Sequence, residues 1–111
     1  MDRRYTRLVT FAAGASTSSE LDLRGEQLVA IITDAAFTTA TLTFTDSEVS
    51  GATKIAVVDA TPAAVTLTGV IASKKTLLSY LGTEGLAYVA LTSSTPQVAA
   101  TTLTVITKAR A

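Results

Sequence analysis

The order of apolar and polar residues between Gln27 and Asp46 predicts two β-strands of different kinds. Leu28–Ile32 is a continuous apolar run, which is typical of a strand covered on both faces. After a small and polar corner at Thr33–Thr39, Thr41–Thr45 alternates strictly, with Leu42 and Phe44 on one face and threonines on the other. A covered strand beside a strand with one wet face is the arrangement of a β-sandwich, so we take this segment as the centre of the fold.

Similar short strands are predicted along the rest of the chain, with turn residues between them. Helix-period segments are nearly absent, and threonine suits half-buried pleated surfaces. Ser73–Leu81 is ambiguous, because Leu77, Leu78 and Leu81 have helical spacing but the segment is short enough to be a strand. The other predicted strands are Tyr5–Ala12, Glu20–Leu23, Lys54–Asp59, Ala64–Ile71, Leu86–Leu91 and Ala99–Lys108. The pattern predicts an all-β, antiparallel, jelly-roll-like β-sandwich of about eight short strands.

The length of the chain predicts a single domain over residues 1–111, with a short N-terminal arm (1–4) and a C-terminal tail (108–111). Hydrophobic residues make up 48% of the sequence and aromatic residues 5%. Much of that hydrophobic fraction is alanine, which buries little area, so we expect a thin core that neighbouring subunits help to stabilise.

Charge and residue content argue against several classes of function. Nine basic and nine acidic residues give zero net charge, whereas a nucleic-acid-binding protein is expected to be basic. The chain contains neither cysteine nor histidine, which removes thiolate chemistry, histidine general bases and the usual zinc ligands. We therefore expect no enzymatic activity and no cofactor. We also expect no membrane span and no secretion signal, since the apolar runs are short and the first eight residues are polar and basic.

Four small constellations could carry chemistry, and each also has a plain structural interpretation. Glu20 and Asp22 could form an acid–base pair or bind calcium, or simply lie on the wet face of an edge strand. Asp46 and Glu48 flank a turn and have the same two interpretations. Lys74 and Lys75, with Ser73 or Ser79, lack any known Ser–Lys motif. Tyr88, expected on an outer face, could serve as a stacking platform for a sugar.

Four segments of the sequence are distinctive: S-E-L-D-L-R-G (Ser19–Gly25), A-A-F-T-T-A-T-L-T-F (Ala35–Phe44), G-L-A-Y-V-A-L-T-S-S-T (Gly85–Thr95) and A-A-T-T-L-T-V-I-T (Ala99–Thr107). Together they resemble small structural proteins of tailed bacteriophages, in which units of the form A-x-W/F-T-x-A-x-L-T-F and Y-L-x-L/I-x-S-G-T recur around an all-β core. The resemblance extends over about residues 19–107.

This resemblance implies a virion protein made in the host cytoplasm, specifically a capsid decoration (cement) protein that binds the major capsid protein or other virion proteins and forms a homo-oligomer. A tail, baseplate or fibre module and a carbohydrate-binding module for host attachment are the alternatives. Edge strands and charged ends would make the contacts by strand addition and multivalent attachment. The residues predicted to contact a partner are Arg3, Arg4, Arg7, Leu8, Tyr88, Lys108 and Arg110.

Overall fold

The computed structural model describes residues 4–57, 66–77 and 86–109 and folds them into nine β-strands in two antiparallel sheets. Residues 1–3, 58–65, 78–85 and 110–111 lie outside the described residues. No helix in the described ranges has the length and apolar character needed to cross a membrane. The strands are β1 (Arg4–Phe11), β2 (Leu21–Asp22), β3 (Glu26–Ile32), β4 (Ala40–Ser47), β5 (Ile55–Ala56), β6 (Thr66–Val70), β7 (Lys75–Leu77), β8 (Tyr88–Ser93) and β9 (Thr101–Ala109).

The strand order confirms the predicted jelly-roll-like sandwich. The first sheet has the order β1-β9-β3-β7 and the second has the order β2-β8-β4-β5, with β6 also pairing with β4. Successive strands therefore alternate between the sheets over β1 to β4, and late strands insert between early ones. This interleaving is the jelly-roll connection of two Greek keys. The ambiguous segment contributes β7, so within the described residues it is a strand and not a helical turn.

The alternation predicted for the fourth strand is present in the structure. Leu42 and Phe44 are buried between the sheets, while Thr41, Thr43 and Thr45 are half-buried on the outer face. On β8, Val89 and Leu91 also point into the core, and Tyr88 points outward and is half-buried. A period of two therefore located these core residues correctly.

The apolar run Leu28–Ile32 has a different explanation from the one predicted. A register shift between Leu28 and Ala30 marks a β-bulge opposite β9. Because the bulge adds one residue, Leu28 and Ile31 both point into the core although they are three positions apart. Ala30 and Ile32 face the other way, and Ile32 remains half-buried there. The continuous apolar run therefore arises because the bulge changes which residues face the core partway along β3. The outer face of the strand is only partly covered, whereas the sequence predicted that both faces are covered.

The core contains fewer alanines than the composition suggested. Its buried cluster consists of leucine, valine, isoleucine and phenylalanine side chains, and Ala40 is its one alanine among the described residues. The other alanines of the described ranges lie largely in turns and at exposed positions. Ala30, Ala87 and Ala90 are also buried, outside this cluster. Most alanines of the described ranges therefore add to the hydrophobic fraction without filling the space between the sheets, and a thin core that neighbouring subunits stabilise remains a prediction.

The ends of the chain also differ from the predicted arm and tail. Arg4 is the first residue of β1, and Lys108 and Ala109 belong to β9, where Lys108 is directly opposite Arg4. Their backbones are paired in the first sheet instead of extending away from it. Arg3 and Arg110 lie outside the described residues.

Gln97 ties three loops together at one end of the sandwich. Its side chain is fully buried, accepts a hydrogen bond from the Thr38 N–H (2.7 Å), and donates to the Thr38 carbonyl and Ser93 Oγ (both 3.1 Å). Its backbone carbonyl accepts a bond from the Gly14 N–H (2.6 Å). This one side chain satisfies polar groups that would otherwise be buried without partners.

Replacing Gln97 by leucine is expected to lower the free energy of unfolding by about 2 kcal/mol, since both backbone groups of Thr38 lose their partner. Urea denaturation followed by circular dichroism measures the change. Val98→Ala, at the exposed neighbouring position, is the control and should change the value by less than about 0.5 kcal/mol. Equal effects of the two substitutions would show that the Gln97 hydrogen bonds are energetically unimportant.

Candidate partner-binding surface

The outer face of the first sheet presents apolar side chains where a solvent-facing sheet would normally be polar. Two rows of directly paired residues cross it, and we call these rows with their flanking residues the sheet-1 face. One row runs Leu8–Thr104–Ile32–Lys75, and the neighbouring row runs Thr6–Ile106–Ala30–Leu77. Leu8 is 63% exposed and Leu77 is 75% exposed. Exposed apolar side chains gathered on one face are a common feature of interaction surfaces.

Basic residues border the sheet-1 face. Arg4 and Lys108 are paired across β1 and β9 at one end, and Lys75 lies on β7 at the opposite edge. Within the described residues, no carboxylate forms an ion pair with Arg4, Lys75 or Lys108. An apolar centre with an unneutralised basic border suits a partner surface that is apolar and acidic.

The residues predicted to contact a partner fall in different places. Arg4, Leu8 and Lys108 all belong to the sheet-1 face. Arg7 points to the opposite side of β1, and Tyr88 lies on the second sheet. The structure therefore brings together three of the five described candidates, and it separates the other two from them.

Arg7 closes a polar cluster between β1, β9 and β3. Its guanidinium forms a two-point ion pair with Glu26, and its Nε lies 3.2 Å from Glu26 Oε1. The buried Thr107 hydroxyl donates to the same carboxylate oxygen. Burial pushes the pKa of Glu26 upward, but the hydrogen bonds from Arg7 and Thr107 outweigh it, so the pKa lies below its usual value. Arg7 thus stabilises a largely buried carboxylate within its own chain.

Glu20 holds the turn after β4 against the start of β2. Its carboxylate accepts hydrogen bonds from Lys54 Nζ (2.5 Å), Ser50 Oγ (2.6 Å) and the Gly51 N–H (2.9 Å). The bond from Lys54, helped by those from Ser50 and Gly51, lowers the pKa of Glu20 to about 2. This carboxylate is occupied by internal partners, and it does not pair with Asp22, which binds Arg24 instead.

The Glu20 contacts are expected to give the protein an acid-sensitive contribution to stability. Because the pKa is lower in the folded state than the ordinary value of about 4.3, the contribution is complete above that value and is lost as the pH falls towards 2. Urea midpoints measured between pH 6 and pH 2 should fall more steeply for the wild type than for Glu20→Gln. Lys54→Met should show the same shallower profile, whereas parallel curves for all three proteins would contradict the assignment.

Tyr88 is covered by an arginine. The Arg24 guanidinium lies 4.9 Å from the centre of the Tyr88 ring, within cation–π distance, and Asp22 holds that guanidinium through two hydrogen bonds (2.9 and 3.1 Å). The bond from Arg24 lowers the pKa of Asp22, so the pair stays ionised at neutral pH. One face of the Tyr88 ring is therefore in contact with the Arg24 guanidinium. A sugar that stacks on this face would have to displace the guanidinium.

Contacts are also present at Asp46 and at the backbone of Lys74. Asp46 Oδ1 accepts a hydrogen bond from the Ala87 N–H (2.9 Å), and the N–H of Lys74 donates to Thr33 Oγ1 (3.0 Å). Ser79 lies outside the described residues. No group of three acidic, histidine or cysteine side chains that could share a metal ion occurs in the described ranges.

The sequence analysis missed Ile32, Leu77 and Ile106 as members of the exposed face. Ile106 could have been found, because in L-T-V-I-T-K it falls between Thr104 and Lys108 on the face opposite Leu103 and Val105. Ile32 could not, because the bulge in β3 reverses its phase relative to Leu28. Leu77 required knowledge that its segment is an edge strand.

Comparison with known proteins identifies the fold. No protein-family model and no curated protein matches the chain. Among solved structures, the chain is similar to the SPBc2 prophage-derived protein YomS, with a TM-score of 0.54 over 98% of this chain and 97% of that chain. The two sequences are 12% identical. At this identity the similarity shows a shared fold over nearly the full lengths of both chains.

Proposed function

We propose that this chain is a structural protein of a tailed-bacteriophage particle, and specifically a decoration protein that binds the head shell. The observation that carries the proposal is the sheet-1 face, whose exposed leucines lie beside basic residues that form no ion pair within the described part of the chain. The similarity to a prophage-derived protein supports a phage origin. The motifs that resemble small phage structural proteins support the same origin.

The mechanism proposed is attachment through shape and charge, without catalysis. In the described residues, Glu20, Asp22 and Glu26 are each paired with a cation of the same chain. Internal pairing leaves these groups poorly suited to moving protons, whereas it makes the framework rigid. A rigid sandwich that attaches at many equivalent positions on a shell can gain high total affinity from weak single contacts.

Co-sedimentation with expanded head shells that lack this protein tests the proposal. We expect the wild-type chain to pellet with the shells and Ile106→Asp to remain in the supernatant, since the substitution places a charge at the centre of the sheet-1 face. Thr43→Asp, on the outer face of the second sheet, is the matched control and should bind as the wild type does. Absence of wild-type binding, or equal binding by Ile106→Asp, would refute the proposal.

Electron microscopy of particles labelled at this protein shows whether the protein is located on the head or on the tail. Label distributed over the head agrees with a decoration protein. Label confined to the tail or baseplate would support the alternative structural role. A glycan-array signal that is lost in Tyr88→Ala would instead support attachment to a carbohydrate, against the covering of that ring by Arg24.

A further inference from the structure

β1 lies at the end of the first sheet, and the edge that faces away from β9 is where a strand of another chain can pair. β1 is the first strand of its sheet and, among the described residues, it pairs along its length with β9 alone. An unpaired edge presents N–H and C=O groups that can receive another strand. Natural proteins usually protect such an edge, and within the described ranges the only backbone protection is at the Thr10 end.

Ser19 shows which backbone groups of β1 face the open side. The Thr10 N–H donates to Ser19 Oγ (3.0 Å), and the Ser19 N–H donates to the Thr10 carbonyl (2.8 Å). Since successive residues of a strand direct their backbone groups to opposite sides, Thr6 and Leu8 direct theirs to the same open edge as Thr10. Ser19 occupies the edge at Thr10, and no other described strand pairs with the open side of Arg4–Leu8.

We propose that two copies of this chain associate through antiparallel pairing of their β1 edges about a twofold axis at Thr6. In this register Thr6 pairs with the other Thr6, and Arg4 pairs with Leu8 in both directions. Tyr5 and Arg7 then oppose each other across the seam, again in both directions. The inference deepens the proposed function, and rests on it, by naming the contact through which copies of a decoration protein associate.

Like charges and the contact of Ser19 with Thr10 disfavour three neighbouring registers. Centring the pair on Arg7 or on Arg4 would place like charges directly opposite each other, which destabilises a sheet. Centring it on Leu8 would require the backbone groups of Thr10, which Ser19 already occupies. Centring it on Thr6 places each Arg7 opposite a tyrosine ring, and Arg7 already lies 5.5 Å from the centre of Tyr5 in its own chain.

The same register removes exposed apolar surface. Leu8, 63% exposed in the single chain, would lie beside the aliphatic part of the opposite Arg4 side chain. The two four-stranded sheets would become one continuous eight-stranded sheet. Their sheet-1 faces would join on one side of it, as an isologous twofold interface requires.

Cysteine cross-linking tests the pairing directly, because the chain contains no cysteine of its own. In Thr6→Cys the two substituted positions face each other, with Cα atoms about 5.5 Å apart, which is suitable for a disulfide. In Leu8→Cys each substituted position lies two residues from the axis, so the two are offset by four residues, roughly 13 Å along the strands, which is too far. Under mild oxidation we expect covalent dimers from Thr6→Cys and not from Leu8→Cys.

A second pair of variants tests the backbone bonds. Thr6→Pro removes an N–H that points to the open edge and is not needed by β9, so the sheet itself should tolerate it. We expect the dissociation constant of the dimer, from sedimentation equilibrium, to rise roughly thirtyfold through loss of the two central hydrogen bonds. Thr6→Val keeps the N–H and should dimerise as the wild type does.

The outcomes separate this inference from the proposed function. A folded Thr6→Cys protein that stays monomeric on oxidation, equal cross-linking by Leu8→Cys, or a Thr6→Pro dimer as tight as that of Thr6→Val would overturn the pairing. A wild-type chain that binds head shells but remains monomeric would refute the pairing alone. A dimer with these cross-linking properties that binds no head shell would support the pairing and refute the decoration role.

Discussion

Phe44→Ala is expected to lower the free energy of unfolding by about 4 kcal/mol, the largest effect that we anticipate for a single side chain. Phe44 is 1% exposed, lies near the middle of β4, and is directly opposite Leu91 on β8. The described core contains three phenylalanines, and removing one ring opens a cavity that the tightly packed neighbouring side chains fill only in part. A domain of this size has a total stability of about 5–15 kcal/mol, and the variant should therefore be only marginally folded.

Urea denaturation followed by circular dichroism measures this loss, and Phe44→Leu provides the matched control. Leucine keeps most of the buried volume and should cost about 1 kcal/mol. If alanine and leucine had the same effect, the ring of Phe44 would not be filling the space between the sheets. Such a result would contradict the packing described for β4.

Arg7→Met is expected to lower the free energy of unfolding by about 2 kcal/mol at neutral pH. The substitution leaves the largely buried Glu26 carboxylate without its cation, and breaking a buried ion pair by removing one partner is costly. We place the loss below the full cost of a buried pair because the Arg7 side chain is 41% exposed and water screens part of the interaction. Arg4→Met, on the other face of the same strand, should change the stability by less than about 0.5 kcal/mol.

The effect of Arg7→Met should depend on pH with a defined sign. In the wild type, hydrogen bonding from Arg7 and Thr107 overcomes burial and lowers the pKa of Glu26, so this contribution to stability is lost on acidification. In Arg7→Met burial dominates, the pKa of Glu26 rises, and protonation relieves the unpaired charge as the pH falls. The two proteins should therefore differ most at neutral pH and converge towards pH 3. A difference that is constant with pH would exclude the ion pair as its cause.

The sequence was most informative where a strand has one wet face and a regular backbone. Leu42 and Phe44 on β4, and Leu103 and Val105 on β9, follow the period of two without interruption, and their burial was predictable from the pattern alone. The jelly-roll-like class followed from the number and spacing of such strands. Pairing order could not be read in the same way, because it depends on which strands meet in space.

Two departures from the pattern show what local sequence lacks. The β3 bulge changes the phase of the strand at Val29, yet no glycine or proline marks it there. The spacing of Leu77, Leu78 and Leu81 left a helical turn and a strand both open, and pairing with β3 makes Lys75–Leu77 an edge strand. Pairing between strands outweighs the local preference of so short a segment.

The surface residues were the hardest to assign. Arg7 and Arg4 look equivalent in the sequence, but alternation along β1 directs one to Glu26, nineteen positions away, and leaves the other at the border of the sheet-1 face. Tyr88 was correctly placed on an outer face, and nothing local indicated that Arg24 would cover it. Such contacts between distant residues need the register of the sheets, which a single sequence does not provide.

The pairing of the first strand with the last has a consequence for synthesis of the protein. β1 is translated before every other strand of the described residues, whereas its partner β9 is translated after all of them. β1 must therefore wait for its partner until Thr101–Ala109 has been synthesised. Premature termination before Thr101 would remove the strand that joins β1 to β3, and the truncated product should be recognised by chaperones and proteases.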